Sequence, residues 1–400
     1  MNILLFLCFI LFANAELKIY IFNVGQADSQ LIVFPNGYSV LIDLGEEFND
    51  PEPRNAIKIG NKIEQILGKK HIDLTILSHI HPDHFGTIGV GGLWYLFEKM
   101  NFTTSRYLTR NVGNYTGENR KDCNVNTFNF YAAGEMYDKL IDWLCYADSV
   151  KDQTKLSKIR EVAEMCSTTQ IIKPEEGLEV EIFTTNAKGV LRADGVPVEG
   201  NYVGQIMPPS ENSYSIGLRI QYGEFVYVTS GDLDGGYYYS YGNTISDIEA
   251  SIIDVVGQVD VYRANHHGSK HSNSWDYLKS AQPVVSVVSC GKNNSYHHPD
   301  ANAAYRMVKT SQKVYATNKC NSDVVYGNYV EMEDDVVITV PEVNATTFTV
   351  TNWDGSYSET FGIKLNKNER KKCVVPENSN IVSGCSRLIV LLAICFFFIF

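Results

Sequence analysis

One stretch at residues 78–86, Ser-His-Ile-His-Pro-Asp-His-Phe-Gly, constrains what this chain can fold into more than any other. It holds three histidines and one carboxylate within six residues, namely His79, His81, Asp83 and His84. A short, largely apolar run at residues 74–77 precedes it, as is typical of a strand buried in a covered sheet. Four such ligands on nearly rigid backbone suit two zinc ions side by side better than one. A histidine-rich surface loop, the alternative, explains neither this pattern nor the strand that presents it.

The histidines of the chain are gathered rather than scattered. Seven of the nine lie in three short loops: His79, His81 and His84; His266 and His267; His297 and His298. His271 lies just beside them, and only His71 stands apart. Each loop follows a predicted strand, so that all three loops can open at one edge of a shared sheet.

Six short motifs occur along the chain in a fixed order. They are Asn23-Val24-Gly25-Gln26-Ala27-Asp28, Leu41-Ile42-Asp43-Leu44-Gly45, the block from His79 to His84, Ser230-Gly231-Asp232, His266-His267-Gly268-Ser269-Lys270 and Tyr296-His297-His298-Pro299. In these motifs the chain resembles the metallo-β-lactamase fold superfamily. Within it, the chain is similar to the hydrolase domain of bacterial DNA-uptake competence proteins and to choline-phosphate esterases. The resemblance covers roughly residues 17–90 and 174–320.

Four residues depart from the family pattern without removing a candidate metal ligand. They are Asn23, Ala27, Ser230 and His297. The resemblance implies an α/β fold, a four-layer αββα sandwich of metallo-β-lactamase type. We add to it a helical insertion at about 92–171 and a C-terminal β-extension at about 321–364.

The resemblance also implies a ligand set for two Zn²⁺ ions per chain. One zinc takes His79, His81 and one histidine of the His266–His267 pair, and the sequence leaves open which one. The second zinc takes Asp83, His84 and His298, while Asp232 bridges the two with one carboxylate. Asp83, Asp232 and His298 are the expected catalytic residues.

Further residues of the motifs are candidates for supporting roles. By resemblance, Asp28 and Asp43 orient ligand histidines, although a turn-capping aspartate explains each equally well. The candidates for substrate binding are Ser269, Lys270, Asn294 and His297. Lys270 is also read as an ordinary solvated charge.

Two dications with two ligand carboxylates leave net positive charge, so that a shared water ionises near neutral pH. A phosphodiester is the favoured substrate class, because the similar families cleave phosphodiesters. The alternatives are hydrolysis of a lactone, thioester or amide, a binding module that keeps the fold without catalysis, and an iron-based oxidoreductase. The chain lacks the G-x-S-x-G, Walker and G-x-G-x-x-G patterns, so serine hydrolysis and nucleotide-cofactor chemistry have no support.

The composition permits a large folded core. The chain has 400 residues, of which 44% are hydrophobic, and its formal net charge is −12. This charge disfavours a nucleic-acid surface that works by phosphate neutralisation. One hydrolase domain is expected at 16–364, followed by a polar stalk at 365–383. Within the insertion, helical spacing predicts one helix through Met136, Leu140 and Leu144 and another through Leu156, Ile159 and Val162.

Both ends of the chain predict export. Residues 1–15 are typical of a signal peptide, and 384–400 of a hydrophobic signal for a C-terminal lipid anchor, with a tail-anchored helix as the alternative. We therefore expect a cell-surface or extracellular protein, membrane-anchored, of undetermined oligomeric state. Outside these ends remain Cys123, Cys145, Cys166, Cys290, Cys320 and Cys373, which predict three disulfides. Glycosylation sequons begin at Asn101, Asn114, Asn293 and Asn344.

Overall fold

The computed structural model describes residues 16–46, 52–111, 114–115, 128–129, 138–147, 154–187, 210–236, 238–240, 243–245 and 247–375. Its strands are β1 (Leu17–Ile21), β2 (Ser29–Val33), β3 (Ser39–Leu44), β4 (His71–Ile76), β5 (Thr103–Thr109), β6 (Asn114–Tyr115), β7 (Phe128–Asn129), β8 (Arg160–Val162), β9 (Leu178–Thr184), β10 (Gly217–Tyr222), β11 (Phe225–Thr229), β12 (Tyr238–Ser240), β13 (Asn243–Ile245), β14 (Val261–Arg263), β15 (Val285–Val288), β16 (Lys313–Ala316), β17 (Tyr329–Glu331), β18 (Val336–Val340), β19 (Thr347–Thr351) and β20 (Ser358–Gly362). The helices are α1 (Arg54–Leu67), α2 (Pro82–Phe85), α3 (Gly92–Glu98), α4 (Asp138–Ala147), α5 (Ile248–Val256), α6 (Trp275–Ala281) and α7 (Ala301–Thr310).

Two large sheets form the centre of the molecule. The first runs in the order β20-β19-β18-β1-β2-β3-β4-β5-β8, and the second in the order β17-β16-β15-β14-β11-β10-β9. In the first, the strands from β3 to β8 pair in parallel, and in the second the strands from β11 to β17 do. The remaining neighbours are antiparallel. Each sheet is therefore mixed, with one parallel half.

The core divides by strand face into three apolar clusters. Ile19 and Ile32 are paired on β1 and β2, and they pack in the cluster that the two sheets share. The adjacent Leu31 points to the opposite face, where it joins the cluster that includes Ile59 of α1 and Leu96 of α3. This alternation is the period of two that a strand imposes.

The outer face of the second sheet is covered in the same way. Val226 and Tyr262 of this sheet pack with Ile252 of α5, Leu278 of α6 and Met307 of α7. Helices thus cover the outer faces of both sheets, and the sheets face each other. The predicted four-layer αββα sandwich is confirmed.

The stretch predicted as a helical insertion also contributes to the first sheet. Helix α4 contains Leu140 and Leu144, as the spacing predicts, and Met136 lies outside the described residues. The second predicted helix is wrong: a 3₁₀ turn at Ser157–Ile159 leads into strand β8, which pairs with β5. The terminal β-extension is integral as well, because β18 pairs with β1. The domain limits stay a prediction.

Disulfides join Cys166 to Cys373 and Cys290 to Cys320, with Cα–Cα distances of 5.3 and 5.7 Å. Cys145 is also disulfide-bonded. Cys123 lies outside the described residues, as do the predicted signal peptide at 1–15 and the anchor signal at 384–400. In the part of the chain that the structure describes, every helix is too short or too polar to span a bilayer.

Candidate metal centre

The H-x-H-x-D-H loop begins at His79, three residues after β4 ends at Ile76, and so follows a strand as the sequence predicts. Proline at the first position of α2 starts the helix that carries Asp83 and His84. Gly86 has φ +89°, and a Cβ there would overlap the backbone of Gly92. Glycine at position 45 serves the same close packing, because a Cβ there would overlap the carbonyl oxygen of Asp83. Gly45 therefore lets the end of β3 approach Asp83, and Gly86 lets α2 approach the start of α3.

Asp43 fixes this loop from the neighbouring strand. Its buried carboxylate accepts hydrogen bonds from the backbone N–H of Ser78 at 2.7 Å and from the Ser78 hydroxyl at 2.6 Å. It also lies 2.8 Å from His84 Nδ1. Burial raises the pKa of Asp43, although the adjacent His84 opposes that shift. A carboxylate on Nδ1 leaves Nε2 of His84 to face the site, which is how metal-binding imidazoles are oriented.

A buried arginine supports the opposite side, and the sequence reasoning missed it. Arg263 lies 2.7 Å from Asp28 Oδ2 through Nη2 and donates from Nη1 to the carbonyl oxygen of Gly231 at 2.6 Å. Its Nη1 is also 3.8 Å from Asp232 Oδ1. Arg263 and Asp28 are both fully buried. The sequence did carry a signal, because an arginine stands inside the apolar run Val-Tyr-Arg-Ala. A buried charge without a partner is very unfavourable, so such an arginine predicts a buried carboxylate beside it.

Four ligand atoms form one tight group, from Asp83, His84, Asp232 and His267, all within 4.8 Å of one another. His84 Nε2 is 3.2 Å from Asp232 Oδ1 and 3.9 Å from Asp83 Oδ2. His267 Nε2 is 3.3 Å from Asp83 Oδ2 and 3.5 Å from Asp232 Oδ2. A tetrahedral ion with bonds of about 2.1 Å separates its ligand atoms by about 3.4 Å. The group has the spacing of such a site.

His267 is held in this group by its backbone and by one hydrogen bond. Its Nδ1 lies 2.8 Å from the carbonyl oxygen of Ser289, which leaves Nε2 to face the carboxylates. Both His266 and His267 have positive φ, 49° and 51°. Left-handed backbone at two successive non-glycine residues is strained, and such strain concentrates at functional sites.

A second group of histidines lies near Asp232, and two of its members face the Oδ2 atom that also faces His267. His79 Nε2 is 3.8 Å from Asp232 Oδ2 and 3.0 Å from His81 Nδ1. His266 Nε2 is also 3.8 Å from Asp232 Oδ2. The geometry thus brings both members of the His266–His267 pair to Asp232, and it groups His267 with Asp83 and His84, where the resemblance implied His298.

His298 lies beside these groups and is oriented by the first motif. Its Nδ1 is 3.3 Å from Nε2 of Gln26, whose Oε1 accepts from the backbone N–H of Gly291. Its ring is 5.3 Å from that of His266. Burial, with His266 and His267 nearby, lowers the pKa of His298 to about 2. His298 is therefore neutral at physiological pH.

The residues predicted to bind substrate divide into two kinds. Asn294 is engaged within its own loop: it donates to the carbonyl oxygens of Gly291 and His298 and accepts from the backbone N–H of His298. Ser269 is buried, and its hydroxyl accepts from the backbone N–H of His271. Lys270 and His297 are exposed.

Tyr296 is exposed beside the site and was not among the predicted site residues. Its ring is 60% exposed and stacks on the His298 ring at 5.6 Å. Burial and the nearby carboxylate of Asp83 raise the pKa of Tyr296. The only signal in the sequence was its place as the first residue of the motif Tyr296-His297-His298-Pro299.

The buried polar atoms fit a divalent metal. His84 Nε2, His267 Nε2 and Asp232 Oδ1 are buried and have no hydrogen-bond partner within the described residues. Buried polar atoms are rarely left unpaired unless a ligand or ion completes them. Burial opposes protonation of His84, but Asp232, Asp43 and Asp83 outweigh it and raise the pKa of His84. These carboxylates favour a cation at the same place.

An αββα sandwich that gathers an H-x-H-x-D-H loop, a central aspartate and further histidines at one edge is a metallo-β-lactamase-type fold. The chain is 30% identical over 119 residues to ComE operon protein 3 of Bacillus subtilis (strain 168), which confirms the resemblance to a competence protein. The match covers 30% of this chain and 14% of that protein's length. No protein-family model matches the chain.

Three solved structures resemble the chain at 11% identity each. Igni18, a metallo hydrolase from the archaeon Ignicoccus hospitalis KIN4/I, has a TM-score of 0.35, with 74% of this chain and 91% of that chain covered. A diphosphatase from the PhnP family scores 0.33, with 81% and 97% covered. A long form RNase Z from yeast scores 0.32, with 76% and 41% covered. At these scores the fold assignment depends on the chain's own layers and motifs.

Proposed function

We propose that this chain is a dinuclear zinc hydrolase that cleaves phosphodiesters outside the cell. The observation that carries the proposal is the convergence of unpaired ligand atoms from His84, His267 and Asp232 in one buried group. The residues are of the types that Zn²⁺ prefers, and their spacing fits its tetrahedral coordination. A hydrolase of this kind needs neither a nucleophilic serine nor an organic cofactor.

The two groups of side chains suggest how two cations would be held. Asp83, His84 and His267 would hold cation 1, and His79, His81 and His266 would hold cation 2. Asp232 would serve both, since its Oδ2 lies within 4 Å of ring nitrogens from each group. A pair of bound divalent cations supplies a water of lowered pKa and charge stabilisation for phosphoryl oxygens.

His298 has a different role in this proposal from the ligand role that the resemblance implied. Since Gln26 Oε1 accepts from Gly291, its amide nitrogen faces His298 and donates to Nδ1. An imidazole that accepts at Nδ1 carries its proton on Nε2. His298 would then donate a hydrogen bond from Nε2 to a phosphoryl oxygen of the substrate. Water attacks phosphorus, one P–O ester bond breaks, and the departing oxygen takes up the proton that the water loses.

The remaining features of the proposal concern location and substrate. Export and a C-terminal membrane anchor fit the disulfides, which form in oxidising compartments. The net charge of −12 favours small phosphodiesters over long nucleic acid.

An activity panel tests the proposal. Wild type, Asp83→Ala and Asp232→Ala are assayed on bis-para-nitrophenyl phosphate and on a set of lactones, thioesters and amides. We expect phosphodiesterase activity in wild type and its loss in both variants, with secretion and fold retained. Hydrolysis of lactones, thioesters or amides without phosphodiesterase activity would favour the alternative that the chain is a hydrolase of those substrates. Well under one zinc per purified chain would favour a non-catalytic binding module.

A further inference from the structure

Residues 210–216, called here the 210–216 turn, precede β10 and begin with a 3₁₀ helix at Glu211–Tyr214. The whole segment is buried. None of its residues belongs to the six motifs of the sequence. Its contacts nevertheless reach three of the loops that carry candidate ligands.

Glu211 makes the most specific of these contacts. Its Oε1 accepts a hydrogen bond of 2.8 Å from the backbone N–H of Ile80, the residue between His79 and His81. The same oxygen accepts from Arg110 Nε at 2.6 Å, and Oε2 accepts from Arg110 Nη2. Both charged side chains are at least 99% buried. A carboxylate held in a buried ion pair thus also accepts a hydrogen bond from the backbone between His79 and His81.

Neighbouring residues of the turn bind the other parts of the same group. The amide of Asn212 lies 3.4 Å from Nδ1 of His266. The hydroxyl of Ser215 accepts from the backbone N–H of Asp232 at 3.1 Å. The backbone N–H of Ile216 donates to the carbonyl oxygen of Ser78 at 3.0 Å. The turn therefore braces the residues assigned to cation 2.

The ligands of cation 1 have separate supports. His84 is held by Asp43, and His267 by the carbonyl oxygen of Ser289. The carbonyl oxygen of Asp83 accepts from the backbone N–H of Asp28 at 2.9 Å. Each of these supports comes from a strand of the core or from the loop next to one.

The geometry points to Glu211 as a positioning residue for cation 2 alone. Its carboxylate fixes the backbone between His79 and His81, so that both imidazoles keep the angle needed to share one ion. This assignment rests on the proposed dinuclear function. Residues that orient metal ligands commonly contribute 10- to 100-fold in affinity, roughly.

A matched pair of variants isolates the bond to Ile80. Arg110→Met removes the guanidinium that would otherwise be left buried and unpaired. In that background, Glu211→Gln keeps a carbonyl oxygen that can accept from Ile80, whereas Glu211→Leu cannot accept. Arg106→Met, which breaks a partly exposed ion pair between Arg106 of β5 and Glu161 of β8, is the control. Zinc per chain is measured on the full secreted protein by mass spectrometry, together with a chelator competition and thermal unfolding.

We expect the Gln variant and the control to hold two zinc ions, as wild type does. The Leu variant should unfold cooperatively but hold one zinc firmly, with the second bound at least about tenfold more weakly. Cobalt substitution should show the loss of one absorbing centre. Should the Leu variant fail to fold, Glu211→Asp, which withdraws the carboxylate from Ile80 while keeping its charge, is expected to give the same selective loss.

Two results would overturn the proposal. Two zinc ions at wild-type affinity in a folded Leu or Asp variant would show that Glu211 does not position cation 2. Equal weakening of both zinc ions would show a general structural role. If wild type itself binds no zinc, the proposed function fails, and this proposal fails with it.

Discussion

The two halves of the candidate metal centre are built from different parts of the fold. Asp83, His84 and His267 are supported by the edge of the sheets: Asp43 lies in β3, and Ser289 directly follows β15. The 210–216 turn contacts His266 and the backbone between His79 and His81, and the Ser78 hydroxyl lies 3.1 Å from His79 Nδ1. His266 is also 22% exposed, whereas His267 is 1% exposed. The first half is therefore supported mainly by residues of the core strands, whereas the second half is supported mainly by one short segment.

Metal removal should have the largest effect and should reveal the difference between the halves. With increasing dipicolinate, we expect the zinc of cation 2 to leave first, because fewer of its supports come from the sheets. Phosphodiesterase activity should fall to background and return on adding zinc. Zinc analysis during the titration measures the order, and release in a single step would contradict the distinction between halves.

Asp232→Ala should affect both halves together, because its carboxylate faces both groups. We expect kcat/KM to fall on the order of 10³-fold and zinc content to fall below one per chain. Activity assays and zinc analysis on the purified variant test this. Two tightly bound zinc ions in Asp232→Ala would remove the shared role of this residue.

Asp43→Asn should weaken the first half more than the second, because Asp43 contacts His84 directly but reaches His79 only through the Ser78 hydroxyl. The amide cannot accept from Ser78 and also hold the His84 tautomer as the carboxylate does. We expect the affinity for cation 1 to fall about 10- to 100-fold with cation 2 retained, the opposite of the Glu211 result. Chelator competition on both variants provides the comparison, and loss of the same ion in both would contradict it.

Gln26→Ala should lower turnover without removing a cation, since His298 lies outside both halves in our proposal. The variant leaves His298 Nδ1 without its amide donor. We expect kcat to fall roughly tenfold while the protein keeps two zinc ions. Steady-state kinetics with zinc analysis measures both, and a loss of zinc would return His298 to the ligand set.

Tyr296→Ala should have the smallest effect, confined to substrate binding. The exposed ring beside His298 can stack on an aromatic leaving group, and such a contact contributes about 1 kcal/mol. We expect KM for bis-para-nitrophenyl phosphate to rise about threefold to tenfold with kcat unchanged. Tyr305→Ala, at an exposed tyrosine on α7, is the matched control and should leave KM unchanged.

The sequence predicted the parts of the site that are local. The strand β4 and the ligand loop after it lie within about a dozen residues, so periodicity and motif spacing identify them. Asp43 was also found, because it belongs to a motif. Glu211 and Arg263 were missed, because each acts through a partner far away in the chain: Glu211 binds Ile80, 131 positions earlier.

The fold, like the site, was predicted where local sequence determines the structure and missed where contacts with distant residues determine it. The short apolar run at residues 74–77 predicted a strand before the ligand loop, where the structure has β4. The four layers were implied by the resemblance of the motifs to the metallo-β-lactamase fold. The stretch from 156 to 162 was read as helix because its apolar residues recur at helical spacing. Part of this stretch is a strand instead, because Arg160–Val162 forms β8 by pairing with Tyr107–Thr109 of β5. Pairing with a distant strand overrides a weak local pattern.

The Cys166–Cys373 bond also sets how a mechanical load would travel through the domain. It closes a loop of 207 positions that includes β9 to β20. A pull applied beyond residue 373 would pass through sulfur directly to the segment before β9. Strands β18 to β20 would then stay unloaded, and a single cut anywhere inside the loop would leave both pieces attached to each other.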